Sequence, residues 1–245
     1  MPYDRERGKR EQVEEMFDSI APAYDFMNTA MTFGLHNIWR RRALDALGRG
    51  LGGRGGRGLR LLDIATGTGD VAFDLSRRFP EACVVGADLS AGMLDVARRK
   101  LAAMPEDVRR RMSFEQADCL SLPYADGSFD AITVAYGVRN FQQLESGYRE
   151  MQRVLRSGGT LCVIELSVPD RRLTRFLYNL YSRHLIPALG RMVSGDSRAY
   201  SYLPESIAAA PQRSDMTAVM ERAGFSRSSW RSLTFGVVTI YLSRK

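Results

Sequence analysis

The sequence predicts a doubly wound α/β fold: a mostly parallel, Rossmann-like sheet with helices on both faces, ended by an antiparallel hairpin. Three observations carry this. Short apolar runs alternate with helical patterns, as a parallel sheet with crossover helices requires. The first run, Leu61, Leu62 and Ile64, passes into a loop with Gly67 and Gly69 and then into Val71, Ala72, Leu75 and Phe79 at helical spacing. The ends of four successive runs carry polar groups, at Asp63, Asp88, Asp118 and Arg139-Asn140. In such a sheet these ends share the edge where ligands bind.

The totals bound the rest. A chain of 245 residues, 44% apolar and 26% charged, suits one folded domain with a large core. A net charge of +7 points to an anionic partner or to a solvated basic surface. Cys83, Cys119 and Cys162 have no CxxC spacing, and two of them sit in apolar runs. They read as reduced core thiols in a cytoplasmic protein. With only His36 and His184 available, no metal site is expected. No apolar run reaches the roughly 18 residues of a membrane span, and the charged first ten residues do not resemble a secretory signal.

In chain order, residues 1–47 read as an N-terminal helical lid. Val13, Met16, Phe17 and Ile20 keep helical spacing until Pro22 interrupts it. A further helix runs to Leu47. Residues 48–58, G-R-G-L-G-G-R-G-G-R-G, read as a flexible cationic loop. Residues 59–170 form the ligand-binding core. Within it Ser90 caps a helix faced by Met93, Leu94 and Ala97, and Gly158-Gly159 closes a helix faced by Leu144, Tyr148 and Met151. Residues 171–213 read as a substrate- or membrane-facing insertion, with a helical segment near 171–207. Over 171–192, Leu173, Phe176, Leu177 and Leu180 share one helical face flanked by arginines. That pattern suits an anionic bilayer surface or a helix packed on the core. Residues 214–245 read as a helix capped by Ser214 and a hairpin turning at Thr234-Phe235-Gly236.

The Gly loop lacks the Lys of a P-loop and the third Gly of a dinucleotide fingerprint. An acid at Asp88 is placed to accept both hydroxyls of a ribose, and Asp118 to accept from an adenine amine. Asp63 suits a cationic ligand. An acid, a Gly-rich loop and a second acid together resemble the class I S-adenosylmethionine-dependent methyltransferases. Four longer stretches sharpen the likeness: M-F-D-S-I-A-P-A-Y-D-F-M-N (16–28), F-G-L-H-N-I-W-R-R (33–41), Y-G-V-R-N-F (136–141) and S-G-D-S-R-A-Y-S-Y-L-P-E-S-I (194–207). They resemble the bacterial demethylmenaquinone / 2-methoxy-6-polyprenyl-benzoquinol C-methyltransferases. The chain departs from that pattern at residues 48–58, at Ala65 for a Gly, at Ser157 for a Pro and at Ala135 for a Ser.

The resemblance implies C-methylation of a polyprenyl quinol, demethylmenaquinol first and the benzoquinol as the alternative, with S-adenosylmethionine as methyl donor. Asp63, Thr66, Gly67, Thr68, Gly69, Asp88, Asp118, Cys119 and Ala135 are the expected cofactor contacts. Arg139, Asn140, Tyr24, His36 and Tyr200 are the candidate catalytic groups, with Asp25 and Asp196 as further proton acceptors. A polyprenyl substrate also implies peripheral contact with the anionic inner face of the membrane. A homodimer is left open and no nucleic acid is expected, although the Gly/Arg loop is the feature an RNA-methylating alternative would use.

Overall fold

The computed structural model describes residues 8–52, 57–181 and 197–245. The first helices are α1 (Lys9–Ile20), α2 (Tyr24–Thr32) and α3 (Leu35–Gly50), with a 3-10 turn at Ala21–Ala23 where Pro22 interrupts the helix. Then follow β1 (Arg60–Ile64), α4 (Asp70–Arg78), β2 (Cys83–Asp88), α5 (Ala91–Ala102), α6 (Glu106–Arg109), β3 (Met112–Gln116), β4 (Phe129–Ala135), α7 (Leu144–Val154) and β5 (Leu155–Leu166). The chain ends with α8 (Arg172–Leu180), α9 (Ser197–Ala209), α10 (Ser214–Arg222), β6 (Ser226–Leu233) and β7 (Val238–Arg244).

The seven strands lie in the order β3-β2-β1-β4-β5-β7-β6. Strands β1 to β5 are parallel, and β7 runs antiparallel to both β5 and β6. The chain winds outward from β1 to β3 and then crosses to β4. The crevice between the carboxyl ends of β1 and β4 is therefore the switch point where such sheets bind ligands. Alternation along the strands splits the core in two. Leu61, Val84, Ala131 and Cys162 face α3, α4 and α5; Leu62, Val85, Ile132 and Val163 face α7 and α10.

Tertiary contacts alter several local expectations. The N-terminal 47 residues are not all peripheral to the sheet: Trp39, Ala43, Leu44 and Leu47 of α3 are core side chains. Gly48 to Gly50 continue α3 rather than open a loop, because the Gly50 carbonyl accepts from the Arg244 guanidinium at 2.7 Å. Residues 53–56 of the Gly/Arg stretch lie outside the described residues. Gly158-Gly159 does not close α7, which ends at Val154 and runs directly into β5. Ser214 does not cap α10. Arg213 stands before it at φ +52, tied to Asp170 at 2.8 Å and to the Val168 carbonyl at 2.7 Å. Cys83 is exposed rather than buried, because it starts β2 at the rim of the sheet.

The inserted segment is helical from Ser197 to Ala209, with Pro204 inside α9. Of the helix expected over 171–192, α8 covers Arg172–Leu180, and residues 182–196 lie outside the described residues. Its apolar face is not packed: Leu173 is 71% exposed and Phe176 65%.

Candidate active site

The loop after β1 is held from behind. Asp63 is buried, and its carboxylate accepts the Thr66 hydroxyl and the Thr133 hydroxyl, each at 2.6 Å. Burial pushes its carboxyl up to about 7, against the pull of both hydroxyls. Asp63 thus holds the loop from behind and lines neither of the two cavities described below, whereas the sequence placed it toward a cationic ligand. Ala65 sits where a Gly is usual, at φ +52. A Cβ added at Gly137 would meet the Ala65 Cβ at 2.6 Å, so the glycine opposite is what makes room for the alanine.

Gly67, at φ +55, turns its open side to the crevice: an added Cβ would find only the Tyr24 ring, at 3.9 Å. Gly69 has a different task, since an added Cβ there would strike Phe114 at 2.8 Å. It allows close packing rather than ligand approach. Thr68 faces the lid, where its hydroxyl donates to Asp25 Oδ1 at 2.5 Å.

On the adjoining strand ends, Asp88 accepts from the Gly67 N–H at 2.7 Å and the Ser90 N–H at 2.9 Å. Burial raises its pKa and the backbone donors oppose that rise. Asp118 accepts from the Leu120 N–H at 2.9 Å and pairs with Arg10 at 3.0 Å. Burial, with Asp118 adding to it, pushes the Cys119 thiol up to about 12, so it stays protonated. Gly67, Asp88, Asp118, Cys119, Ala135 and Gly137 line a cleft of about 110 Å³.

Helices α1 and α2 cover this cleft through polar contacts. Asp18 Oδ1 accepts the Ser90 hydroxyl at 2.5 Å and the Gly92 N–H at 2.9 Å, at the start of α5. Lys9 Nζ donates to the carbonyls of Arg139 and Phe141, both at 3.1 Å. Lys100 pairs with Asp25 at 2.5 Å and with Asp70 at 3.0 Å. Nothing in the local sequence pairs Lys9 or Arg10 with groups more than a hundred residues away.

A second cavity, of about 440 Å³, adjoins the first and is mostly apolar. The two share Tyr24, Gly67, Ala135, Tyr136 and Asn140 as wall. Arg139 lines the larger cavity as half of a buried ion pair, 2.8 Å from Glu165 Oε1, while Glu165 Oε2 accepts the Arg139 backbone N–H at 3.2 Å. The same guanidinium donates to the Tyr136 carbonyl. Three buried polar atoms here lack a partner: Arg139 Nε, Asn140 Oδ1 and the Tyr136 hydroxyl. Buried polar atoms are normally satisfied, so three together on one cavity mark a place for a polar ligand.

Tyr24 stands between the cavities, and burial raises its phenol. His36 lines the larger one from the first turn of α3. Its Nδ1 lies 2.6 Å from Thr32 Oγ1, and burial, then Arg40, lowers its pKa below 6.5. The Tyr200 side chain and Asp196 lie outside the described residues. Sequence reasoning missed Glu165 and Tyr136. Tyr136 was visible inside the Y-G-V-R-N-F stretch, whereas Glu165, within an apolar strand, gave a signal only as a lone acid in a buried run.

A switch-point crevice with a Gly-rich loop and two acids on the next strand ends, closed by helices, defines a Rossmann-like S-adenosylmethionine-dependent methyltransferase. A methyltransferase from Aquifex aeolicus described as SAM dependent has the same fold, with a TM-score of 0.58, 17% identity, and coverage of 83% of this chain and 88% of that one. The chain belongs to the ubiE/COQ5 methyltransferase family, whose profile matches residues 5–245. It is 44% identical over 244 residues to the demethylmenaquinone methyltransferase of Bacteroides fragilis, covering 100% of this chain and 96% of that protein. It is 39% identical to the ubiquinone/menaquinone biosynthesis C-methyltransferase UbiE of Geobacter sulfurreducens, covering 97% of this chain and 90% of that protein.

Proposed function

We propose that this enzyme transfers a methyl group from S-adenosylmethionine to a ring carbon of demethylmenaquinol, a naphthoquinol bearing a polyprenyl tail. The observation that carries the reading is the pair of adjoining cavities. One is a polar cleft with two acids; the other is a larger apolar chamber with unpartnered polar atoms at Tyr136 and Asn140 in the shared wall and at Arg139 beside it. The names of the full-length relatives support the same substrate class.

The residues of the cleft fit the cofactor. Gly67 leaves its backbone face open, Asp88 offers carboxylate oxygens for the ribose, and Asp118 with the Cys119 region suits the adenine end. When bound, S-adenosylmethionine supplies an electrophilic methyl group on a sulfonium. The cleft of about 110 Å³ is smaller than the roughly 300 Å³ of an ordinary small-molecule pocket. Arg10 and Phe17 wall it, so α1 must shift to admit the cofactor and can close over it afterwards. Closure excludes water, which strengthens every electrostatic contact inside.

In the larger chamber, Arg139 Nε–H is a donor for a quinol oxygen as that oxygen gains negative charge, and Asn140 Oδ1 accepts from a hydroxyl. Glu165 holds the guanidinium so that Nε is the arm left free. Tyr24 separates the chambers and orients the ring at the boundary. An oxidised quinone has too little electron density on its ring carbon to attack the methyl; the quinol has enough, because its hydroxyls donate into the ring.

A polyprenyl tail needs an apolar exit. Phe33 and Phe235, each 76% exposed, lie in the chamber wall together with the half-exposed Leu177 of α8. Arg171 precedes that helix, and Arg172 and Arg175 lie in its first turns. Among the described residues no helix is long and apolar enough to cross a membrane. The reading is therefore of a protein that lays this rim on an anionic leaflet and draws the quinol ring inward.

The test is transfer of labelled methyl from S-adenosylmethionine to a short-chain demethylmenaquinone, with and without reductant, beside the corresponding benzoquinol. Product on the naphthoquinol only under reduction is the expected result. Cofactor binding with no product on either quinol would refute the substrate assignment. For the membrane contact, Phe176→Glu with Leu180→Glu should abolish co-sedimentation with anionic vesicles and leave the melting temperature unchanged, since both side chains are solvated.

A further inference from the structure

Thr32 and His36 stand one helical turn apart where α2 hands over to α3, and the geometry between them fixes a proton. The Thr32 hydroxyl donates to the Asn28 carbonyl at 2.7 Å. The same oxygen lies 2.6 Å from His36 Nδ1. A hydroxyl has a single hydrogen to give, and a carbonyl has none. With the hydroxyl hydrogen on the Asn28 carbonyl, the hydrogen between Thr32 Oγ1 and the ring belongs to Nδ1. In the neutral ring the lone pair then rests on Nε2, which has no hydrogen-bond partner among the described residues. The ring is 6% exposed and lines the large chamber.

The charges around this ring come from three helices. Arg40 lies on α3, Asp25 on α2, and Asp70 and Asp74 on α4. Arg40 is tied to Asp74 at 2.8 Å and to Asp70 at 3.0 Å, and Lys100 takes up Asp25 and the other oxygen of Asp70. The carboxylates nearest the imidazole are thus already neutralised. Burial and Arg40 disfavour the imidazolium, so the ring rests as a free base at neutral pH.

We propose that His36 Nε2 is the acceptor for the quinol hydroxyl proton during methyl transfer, with Thr32 as the group that fixes its tautomer. This rests on the quinol reading above. The step balances as follows. The quinol O–H bond breaks and its proton passes to Nε2. The released electron pair conjugates into the ring, the ring carbon forms a bond to the methyl group, and the methyl–sulfur bond breaks with its pair left on sulfur. The methylated carbon then loses its hydrogen as a proton to water, the ring regains aromaticity, and the oxygen recovers a proton from His36. One proton is released per turnover and the histidine ends as it began.

Two measurements test this on the full chain with S-adenosylhomocysteine bound. The chain has only two histidines, so a His184→Gln variant leaves His36 alone in a long-range nitrogen–proton NMR spectrum. The expected spectrum at pH 7.5 is a neutral ring protonated at Nδ1. A ring protonated at Nε2, or an imidazolium, would overturn the proposal whatever the activity. The second variant is His36→Asn, whose amide can still donate to Thr32 but offers no base. It should lower kcat by about 10²- to 10⁴-fold, leave the quinol KM within about threefold, and abolish the acid limb expected of the native enzyme as the imidazole takes up a proton. A kcat within about tenfold of native, with the acid limb retained, would refute the acceptor role. Cofactor affinity and melting temperature equal to native establish that the variant is folded. If the native enzyme binds the cofactor yet methylates no quinol at any pH, the substrate reading itself falls, and the NMR result stands apart from it.

Discussion

Glu165→Gln is the sharpest perturbation of the chamber, because it removes a charge and almost no volume. The native carboxylate is 2% exposed and meets a guanidinium that is 8% exposed, at 2.8 Å. It also accepts the backbone N–H groups of Arg139 at 3.2 Å and Leu166 at 2.9 Å. Glutamine keeps one acceptor oxygen but turns an NH₂ toward donors, and it leaves the Arg139 cation buried and uncompensated. Breaking a buried pair from one side costs about 3–5 kcal/mol. In a domain of this size each kcal/mol moves the melting temperature by roughly 2–4 °C, so the variant should melt about 6–20 °C lower. Urea unfolding should place the loss in the midpoint rather than in the slope. Replacing both partners, Glu165→Leu with Arg139→Met, should recover a large part of this, since no buried charge is then left alone. A loss under about 1 kcal/mol for Glu165→Gln, or a double variant no more stable than the single, would refute the view that Glu165 holds Arg139 in a dry wall.

Three further outcomes follow from the cleft. Asp63 has its carboxyl raised from 3.8 to about 7, so folding takes up a proton between those values. Stability from this group is fully present below about pH 4 and is lost as pH rises toward 7. Asp63→Asn should flatten that part of the native stability-against-pH curve, measured by urea midpoints between pH 4 and 8; a variant curve parallel to native would count against it. Asp88→Asn should weaken S-adenosylmethionine binding by about 10- to 100-fold in calorimetry, the loss of charged hydrogen bonds worth roughly 1.5–3 kcal/mol, and unchanged affinity would remove Asp88 from the cleft's contacts. Gly86→Ala places a Cβ 2.6 Å from the Phe114 ring and 2.9 Å from Thr66 Oγ1. It should destabilise by about 1–3 kcal/mol and lower cofactor affinity through the displaced loop; a neutral variant would mean that Phe114 repacks freely.

Much of the scaffold was legible because its causes are local. The apolar runs at Leu61, Val84, Ile132 and Leu161 report burial on both faces, and the helical spacing of Met93, Leu94 and Ala97 reports one buried stripe. The Gly67 turn and the acid at Asp88 were readable because a strand–loop–helix unit places them at the same sheet edge whatever surrounds it. Ser90 was readable as a cap, and its hydroxyl does accept the Met93 N–H. Asp63 misled because its sequence neighbourhood says only that an acid lies near a loop. Thr133, which takes up one of its oxygens, arrives from β4 by strand register.

What the sequence by itself determined is the order of strands and helices, the edge at which the polar strand ends gather, and the family likeness carried by four short motifs. These depend on periodicity and on residue types at short range, which the chain states directly. What only the tertiary structure decided is how each polar group is spent. It put Asp63 behind the loop and Glu165 against Arg139. It laid Arg10 on Asp118 and gave Thr32 to the ring of His36. It left Phe176 in solvent where the amphipathic pattern allowed a packed helix. A carboxylate, a hydroxyl or an imidazole has the same letters in every context; its charge state and its free lone pair depend on partners brought together across the fold, and those partners are fixed only when the chain is closed.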